Sequence, residues 1–213
     1  MLRDGGALSK GLIVSAARDI LESSGLESVT MRKVAAKLGV TAMALYHHVA
    51  DKNALINLVA DEVMNIVPDM EAHQKPWHDE LRRGFLAVHQ AIVRYPGLGL
   101  YIASSNGFYP SGFRKFKETV QLLLHAGFDE REAIEVNYLL LAYQGGYFLM
   151  EQSAEQPAVM TLDAERDGPL ANIRSRSEMN SYDAYVRGLD IIIAGFRVQL
   201  SEKQGSGTDK PSA

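Results

Sequence analysis

The sequence predicts an all-α protein, with an N-terminal three-helix, helix-turn-helix domain and a larger helical domain behind it. Three observations carry that expectation. Apolar residues recur at three- and four-residue spacing almost throughout, not in alternation. Capping residues, glycines and prolines punctuate the chain where that spacing breaks. The stretch 30–52 reads as helix, tight turn, helix. No strand pattern and no internal repeat compete with this reading.

Taken in order, residues 10–24 place Ile13, Ala16, Ala17, Ile20 and Leu21 on one face. Ser9 is placed to cap that helix and Gly25 to end it in a left-handed conformation. Thr30 caps a helix over 31–38 with Val34, Ala35 and Leu38 inward, and Gly39 breaks it. A short helix at about 41–47 follows, with Thr41 as its cap. Asp51 caps a longer helix that runs to Val67 and stops at Pro68. The polar stretch 68–76 is a loop bounded by prolines. Helices are then expected over 77–94 and 98–105. After a turn cluster at 106–112, further helices are expected over 113–125, 130–153 and about 180–201. Leu139, Leu140, Leu141, Phe148 and Leu149 make the 130–153 helix apolar over much of its circumference, which predicts burial on two sides. Residues 154–178 read as a long mobile loop and 204–213 as a disordered tail. The expected organisation is a head over 1–52, a body over 53–203 and a tail over 204–213.

Composition narrows the function. The 213 residues include no cysteine, which excludes a disulfide scaffold, Cys-ligated zinc and a cysteine nucleophile. The net charge of −4 argues against a generic nucleic-acid coat or a polybasic membrane binder. It is unevenly spread, however. Residues 1–52 hold seven basic and five acidic groups, net +2, and the remainder holds 15 and 21, net −6. That is the direction expected for a DNA-reading head on an acidic body. The N-terminus has no signal-peptide core, and no apolar run, Leu139–Tyr143 included, comes near a bilayer span. A soluble, cytoplasmic chain with no membrane partner is expected. There is no phosphate loop, nucleophile elbow or paired His/Glu metal spacing, so neither an enzyme nor a cofactor or metal is expected. His47 and His48 are adjacent, and adjacent helical positions point about 100° apart, so they do not converge on an ion.

The motif at 30–52 carries the functional reading. Ala35 is small where two helices must approach, and Gly39 sits at the turn, where a left-handed backbone is costly for other residues. Val40 and Leu45 can pack the second helix against Val34 and Leu38. This is helix-turn-helix spacing, which puts the second helix in the DNA major groove, although an ordinary helical hairpin satisfies the same spacing. The context is more specific. The run Val29-Thr30-Met31-Arg32-Lys33-Val34-Ala35, the turn Leu38-Gly39-Val40, and Ala44-Leu45-Tyr46-His47-His48-Val49 with Asp51, Lys52 and Leu55 resemble the head of the TetR family of transcriptional repressors. The likeness covers Gly11 to Met64 strongly and the rest in architecture. It looks closest to the tetracycline-repressor branch at His48.

The resemblance implies a recognition helix over Thr41–His47. Thr41, Ala42, Met43 and Ala44 would stand at base edges, where Ala and Met can touch thymine methyl groups but make no bidentate hydrogen-bond pattern. Tyr46, His48, Lys52, Thr30 and Arg32 would hold phosphates. Tyr46 could instead be a core packer. The resemblance further implies a homodimer through the helices near 130–153 and 180–201, bound to double-stranded operator DNA. In those helices Gly145, Gly146, Gly188 and Gly195 suggest close backbone approach or room for a ligand. A small-molecule effector would be lined by Phe85, His89, Tyr101, Phe108, Phe113, Phe116, Tyr138, Gln144 and Tyr147. Each of these aromatics can also be plain core, and His89 a hydrogen-bonded core histidine. Aligned on Trp77, Gly84 and Tyr101 stand where tetracycline-responsive members carry polar ligand- and metal-contacting residues. The expected effector is therefore largely apolar or aromatic, not a tetracycline–magnesium pair. It would act by shifting the 51–67 helix and so the spacing of the two recognition helices. The alternative reading is a helical small-molecule-binding or adaptor protein whose head contacts protein.

Overall fold

The computed structural model describes residues 7–71, 76–104, 109–153 and 181–206. Their order is α1 (Lys10–Ser24), a 3-10 turn (Leu26–Ser28), α2 (Met31–Leu38), α3 (Ala42–Tyr46), α4 (Lys52–Asn65), α5 (Trp77–Ile92), α6 (Leu98–Ser104), α7 (Pro110–Ala126), α8 (Glu130–Ser153) and α9 (Tyr182–Ser206). Among the described residues there is no strand and no helix long and apolar enough to cross a membrane. Packing divides the chain into two compact units, Met1–Met70 with Gly84–Thr119, and Glu71–Arg83 with Val120–Ala213.

In the first unit, the cap residues expected from sequence act as caps. Side-chain oxygens of Ser9, Thr30, Thr41 and Asp51 accept from the backbone N–H three residues on, at 3.3, 3.2, 3.3 and 2.7 Å. Each satisfies one donor that the helix itself leaves open. Gly39 is left-handed (φ 71°, ψ 28°), and its N–H and that of Val40 return to Ala36 and Ala35 carbonyls at 3.2 and 3.0 Å. That closure turns the chain sharply from α2 into α3. Gly25 differs from expectation. Its φ is positive, 74°, but ψ is 170°, an extended region open essentially to glycine alone. The geometry lets Leu26 N–H donate to Pro96 O at 2.9 Å, tying the end of α1 to the turn after α5. Ile13, Ala17, Leu21, Val34, Leu45, Leu55, Val59 and Ala60 form the sealed core of the α1–α4 end. Arg18–Glu62 and Lys37–Asp19 ion pairs brace α1 against α4 and α2. Residues 1–52 are thus one end of a larger unit that includes α4 and residues 84–119.

One polar row on α4 organises that unit. Asn53, Asn57, Asp61 and Asn65 recur every four residues and so share a face. Tyr101 Oη donates to Asn57 Oδ1 at 2.9 Å, and Arg114 Nη1 donates to Asn65 Oδ1 at 3.0 Å. Asp61 Oδ1 accepts from Ser111 N–H at 2.8 Å and from its hydroxyl at 2.5 Å. Beyond α4, Lys115 Nζ donates to Asp69 Oδ1 at 2.6 Å and to Glu118 Oε2 at 3.0 Å, and burial leaves this ammonium few alternatives. Together these groups fasten α4 and the segment after it to α6 and α7.

The start of α7 corrects the sequence reading. Pro110 opens the helix three residues before the expected start at 113, because its missing N–H costs nothing in a first turn. Gly112 belongs inside that turn, since a Cβ there would stand 2.7 Å from the Tyr109 ring. Helix α3 (Ala42–Tyr46) is shorter than the expected 41–47. Helices α4 and α5 end at Asn65 and Ile92, two residues before the expected Val67 and Arg94.

In the second unit, α8 and α9 run antiparallel. Tyr147 Oη donates to Ser181 O at 2.6 Å at one end, while Lys203 Nζ reaches Asp129 and Glu132 at 3.1 and 2.7 Å at the other. That last contact explains why α9 continues to Ser206, three residues into the expected tail. Tyr143 passes over Gly188, where a Cβ would lie 2.2 Å from its Oη, and donates to Tyr185 O at 2.8 Å. The close approach expected of the helical glycines is made at Gly188, whereas Gly146 and Gly195 face open space. On α8, Leu140 is buried, but Ile134, Tyr138, Leu139, Leu141 and Leu149 are exposed on the single chain. The expected 154–178 loop and the last seven tail residues lie outside the described residues.

Candidate nucleic-acid interface and effector residues

Helix α3 is only five residues long, so tertiary contacts must hold it. Leu45, fully buried, and Val49 just beyond it pin the segment to the core. The other side of the same turn then faces outward. Met43 is 70% exposed and Tyr46 is 49% exposed, so the core-packing alternative for Tyr46 fails, and Leu45 fills that role instead. Ala42 and Ala44 are half-buried beside Met43, and His47 and His48 are exposed.

Thr30 and Thr41 each accept one backbone N–H through Oγ1, and each keeps its hydroxyl proton to donate outward. Arg32 and Lys33 are exposed in the first turn of α2, and Lys52 is half-buried at the start of α4. Among the described residues, none of these three cations is held in an ion pair, whereas Lys37 is tied to Asp19 at 3.0 Å. Thr30, Arg32, Thr41, Ala42, Met43, Ala44, Tyr46, His48 and Lys52 thus all keep exposed or half-buried side chains on the head of the first unit. Lys33 joins them and was missed, although its position next to Arg32 in a first turn was a usable signal.

The expected effector residues divide between the units. In the first, Phe85 and His89 are buried one turn apart on α5, and burial pushes the His89 imidazole down to about 4, so it is neutral at neutral pH. Tyr101 is half-buried, and its hydroxyl is taken up by Asn57 of α4. Phe113 is exposed, stacks on half-buried Phe116 at 6.4 Å, and has the Lys117 ammonium 5.9 Å from its ring centre. Phe108 lies outside the described residues. Gly84 is covered by Met70, whose Cε would be 2.1 Å from a Cβ at that position. A side chain at position 84 would have to displace that methionine.

In the second unit, Gln144 and Tyr147 are buried on α8 and meet at Tyr185. Gln144 Nε2 donates to Tyr185 Oη at 3.3 Å, and the Tyr147 and Tyr185 rings are 5.1 Å apart. Tyr138 is not with them. It is 62% exposed on the opposite face of α8, and the buried polar residue of that segment is its neighbour Asn137, which sequence reasoning missed. Among the described residues, no group of three His, Asp or Glu side chains could hold a metal ion.

Comparison with known proteins agrees with this geometry. The N-terminal domain model of the tetR family of bacterial regulatory proteins matches residues 13–59, and the tetracyclin repressor-like C-terminal domain matches residues 68–200. The tetracycline repressor protein class E of Escherichia coli is 29% identical over 205 residues, covering 92% of this chain and 94% of that protein. The crystal structure of TetR from Acinetobacter baumannii AYE superposes with a TM-score of 0.71 at 25% identity, covering 91% of this chain and 98% of the other. The Streptomyces coelicolor TetR family protein ActR, solved in complex with (S)-DNPA, gives a TM-score of 0.74 at 25% identity, covering 91% and 99%. With an exposed α2–α3 turn and matches that run through both halves of the chain, the protein belongs to the tetR family of bacterial regulatory proteins, ligand-responsive DNA-binding transcriptional repressors.

Proposed function

We propose that the protein binds its operator as a homodimer and that a small, largely apolar or aromatic effector releases it. The observation that carries the DNA reading is the outward side of the α2–α3 turn. Met43 stands forward, Thr30 and Thr41 have hydroxyl protons to donate, and among the described residues Arg32, Lys33 and Lys52 hold no ion pairs. Thr41, Ala42, Met43 and Ala44 would stand at base edges, with the Ala and Met side chains against thymine methyl groups, and Thr30, Arg32, Tyr46, His48 and Lys52 would hold phosphates. One such turn reads few base pairs, so two half-sites are needed, about one helical turn (34–36 Å) or a multiple apart.

Support for the dimer comes from the exposed apolar rows of α8 and α9. Ile134, Tyr138, Leu141 and Leu149 recur at three-, four- and eight-residue spacing on α8, and Ile191 and Val198 stand seven apart on α9. Contiguous apolar surface of this kind is otherwise left facing water. Support for the release mechanism comes from the polar row on α4. An effector that binds better where α6 and α7 have moved would carry α4, and with it the head, through the Asn57, Asp61 and Asn65 contacts.

Gel retardation with the DNA upstream of the protein's own coding region tests the proposal. Specific retardation at moderate salt is expected, with a two-half-site footprint, and its absence would sink the claim. Sedimentation should give a dimer that Leu141→Glu with Ile191→Glu converts to monomer. Tetracycline with magnesium is expected to leave the operator complex intact, since Met70 fills the space over Gly84.

A further inference from the structure

Asn137 sits on the inward face of α8 and is 1% exposed. Its Nδ2 is sealed from solvent and, among the described residues, makes no hydrogen bond. Gln144 and Phe148 follow at seven and eleven residues, so at 100° per residue the three lie within about 40° around the helix. Two turns further along α8, about 10 Å at 1.5 Å per residue, the Gln144 amide is engaged, its Nε2 donating to Tyr185 Oη at 3.3 Å. Tyr147, Phe148 and Tyr185 supply buried aromatic surface on the same side of the α8–α9 pair. A sealed amide with no acceptor weakens a fold, whereas a leucine in its place would pack at no such cost. An apolar helix that nevertheless places asparagine there has a use for the unmet donor.

We propose that Asn137 is the polar anchor of the effector site, donating from Nδ2 to a carbonyl oxygen on a planar aromatic effector. This rests on the effector reading above and adds to it a ligand class and a residue that selects for it. The Tyr147, Phe148 and Tyr185 rings, two to three turns further along the same helix pair, favour flat effectors, and an amide donor at Asn137 selects those that carry an acceptor oxygen. A trapped water could satisfy the same donor, and in that case the amide would serve the fold, not the ligand.

The test uses the full chain and two soluble probes with the same ring footprint, anthraquinone-2-sulfonate and anthracene-2-sulfonate, which differ in two carbonyl oxygens. The chain has no cysteine for the quinone to arylate. Titration calorimetry should show the wild type binding the quinone about tenfold or more tighter, with that preference gone in Asn137→Leu. The ligand-free variant should melt no lower than the wild type. Asn137→Ala is measured beside it, in case leucine does not fit.

The anchor is refuted if the wild type shows no preference, if it binds neither probe, or if the variants keep the preference. Lower melting of both ligand-free variants would also overturn it, by assigning the amide to the fold. Operator retardation without probe is run on the same samples. Its loss in the wild type would count against the repressor reading, whereas a retained operator complex confines any failure to Asn137.

Discussion

Asp61→Ala should be among the more damaging polar substitutions in the first unit, although Asp61 is only half-buried. Its carboxylate acts as the missing cap of another helix. Ser111 is the second residue of α7, is 1% exposed, and gives both its N–H (2.8 Å) and its hydroxyl (2.5 Å) to Asp61 Oδ1. The hydroxyl also lies 3.1 Å from Asp61 O, a contact that survives truncation. What Asp61→Ala removes is therefore the acceptor of a buried N–H, together with a negative charge at a helix N-terminus. Charge-assisted hydrogen bonds contribute about 1.5–3 kcal/mol and the dipole about 0.3–1, so a loss of roughly 2–4 kcal/mol is expected. Asp61→Asn keeps an acceptor oxygen and should cost about 1 kcal/mol, as should Ser111→Ala, which keeps the backbone bond. At this chain length each kcal/mol moves Tm by about 2–4 °C, so Asp61→Ala should melt roughly 5–15 °C lower. Thermal unfolding by far-UV circular dichroism, at one fixed protein concentration, measures this. The double variant should cost less than the two single losses combined, since the Oγ–Oδ1 bond counts once. A Tm for Asp61→Ala within 1 °C of wild type, or a Ser111→Ala loss as large as that of Asp61→Ala, would refute the capping argument.

Three further outcomes are expected. His89 is held at about 4 against an ordinary 6.5, so the unfolded chain binds the extra proton first and stability falls as pH drops from about 6.5 toward 4. The share due to His89 is about 3 kcal/mol at pH 4 and nothing above pH 7.5, so urea denaturation across that range should fall less steeply for His89→Leu. Gly188→Ala places a Cβ 2.2 Å from Tyr143 Oη. It should cost about 1–2 kcal/mol despite the helix propensity it gains, with Tyr143→Phe recovering part of that loss in urea titrations. Arg32→Ala and Lys52→Ala should each lower the slope of log K against log salt for operator binding by about 1, with Tm and dimerisation unchanged. An unchanged slope would remove that residue from the phosphate contacts.

Much of the head was legible because its determinants are local. A cap three residues from its N–H and a glycine with positive φ are read directly from spacing, as at Thr30, Thr41, Asp51 and Gly39. The α4 row was legible in principle, since Asn53, Asn57, Asp61 and Asn65 interrupt an apolar helix every fourth residue, but its partners were not. Tyr101 was read as a ligand-lining ring, yet its hydroxyl belongs to Asn57. On α8 the difference is one residue wide. Tyr138, expected as a lining residue, is exposed on the single chain, and its neighbour Asn137 is the one that faces inward.

The sequence alone determined the all-helical class, most helix limits and the helix-turn-helix, because hydrogen bonds between residues three or four apart dictate each of these, and the side chains of the 29–55 motif carried the likeness to the family. Tertiary structure decided how the helices are rotated and which distant groups close their ends. When a helix is apolar around its circumference, as α8 is, its pattern carries no preferred face, and 100° of rotation separates Asn137 from Tyr138. The N-terminus of α7 likewise takes its acceptor from Asp61, fifty residues away, a pairing that follows from packing and not from spacing.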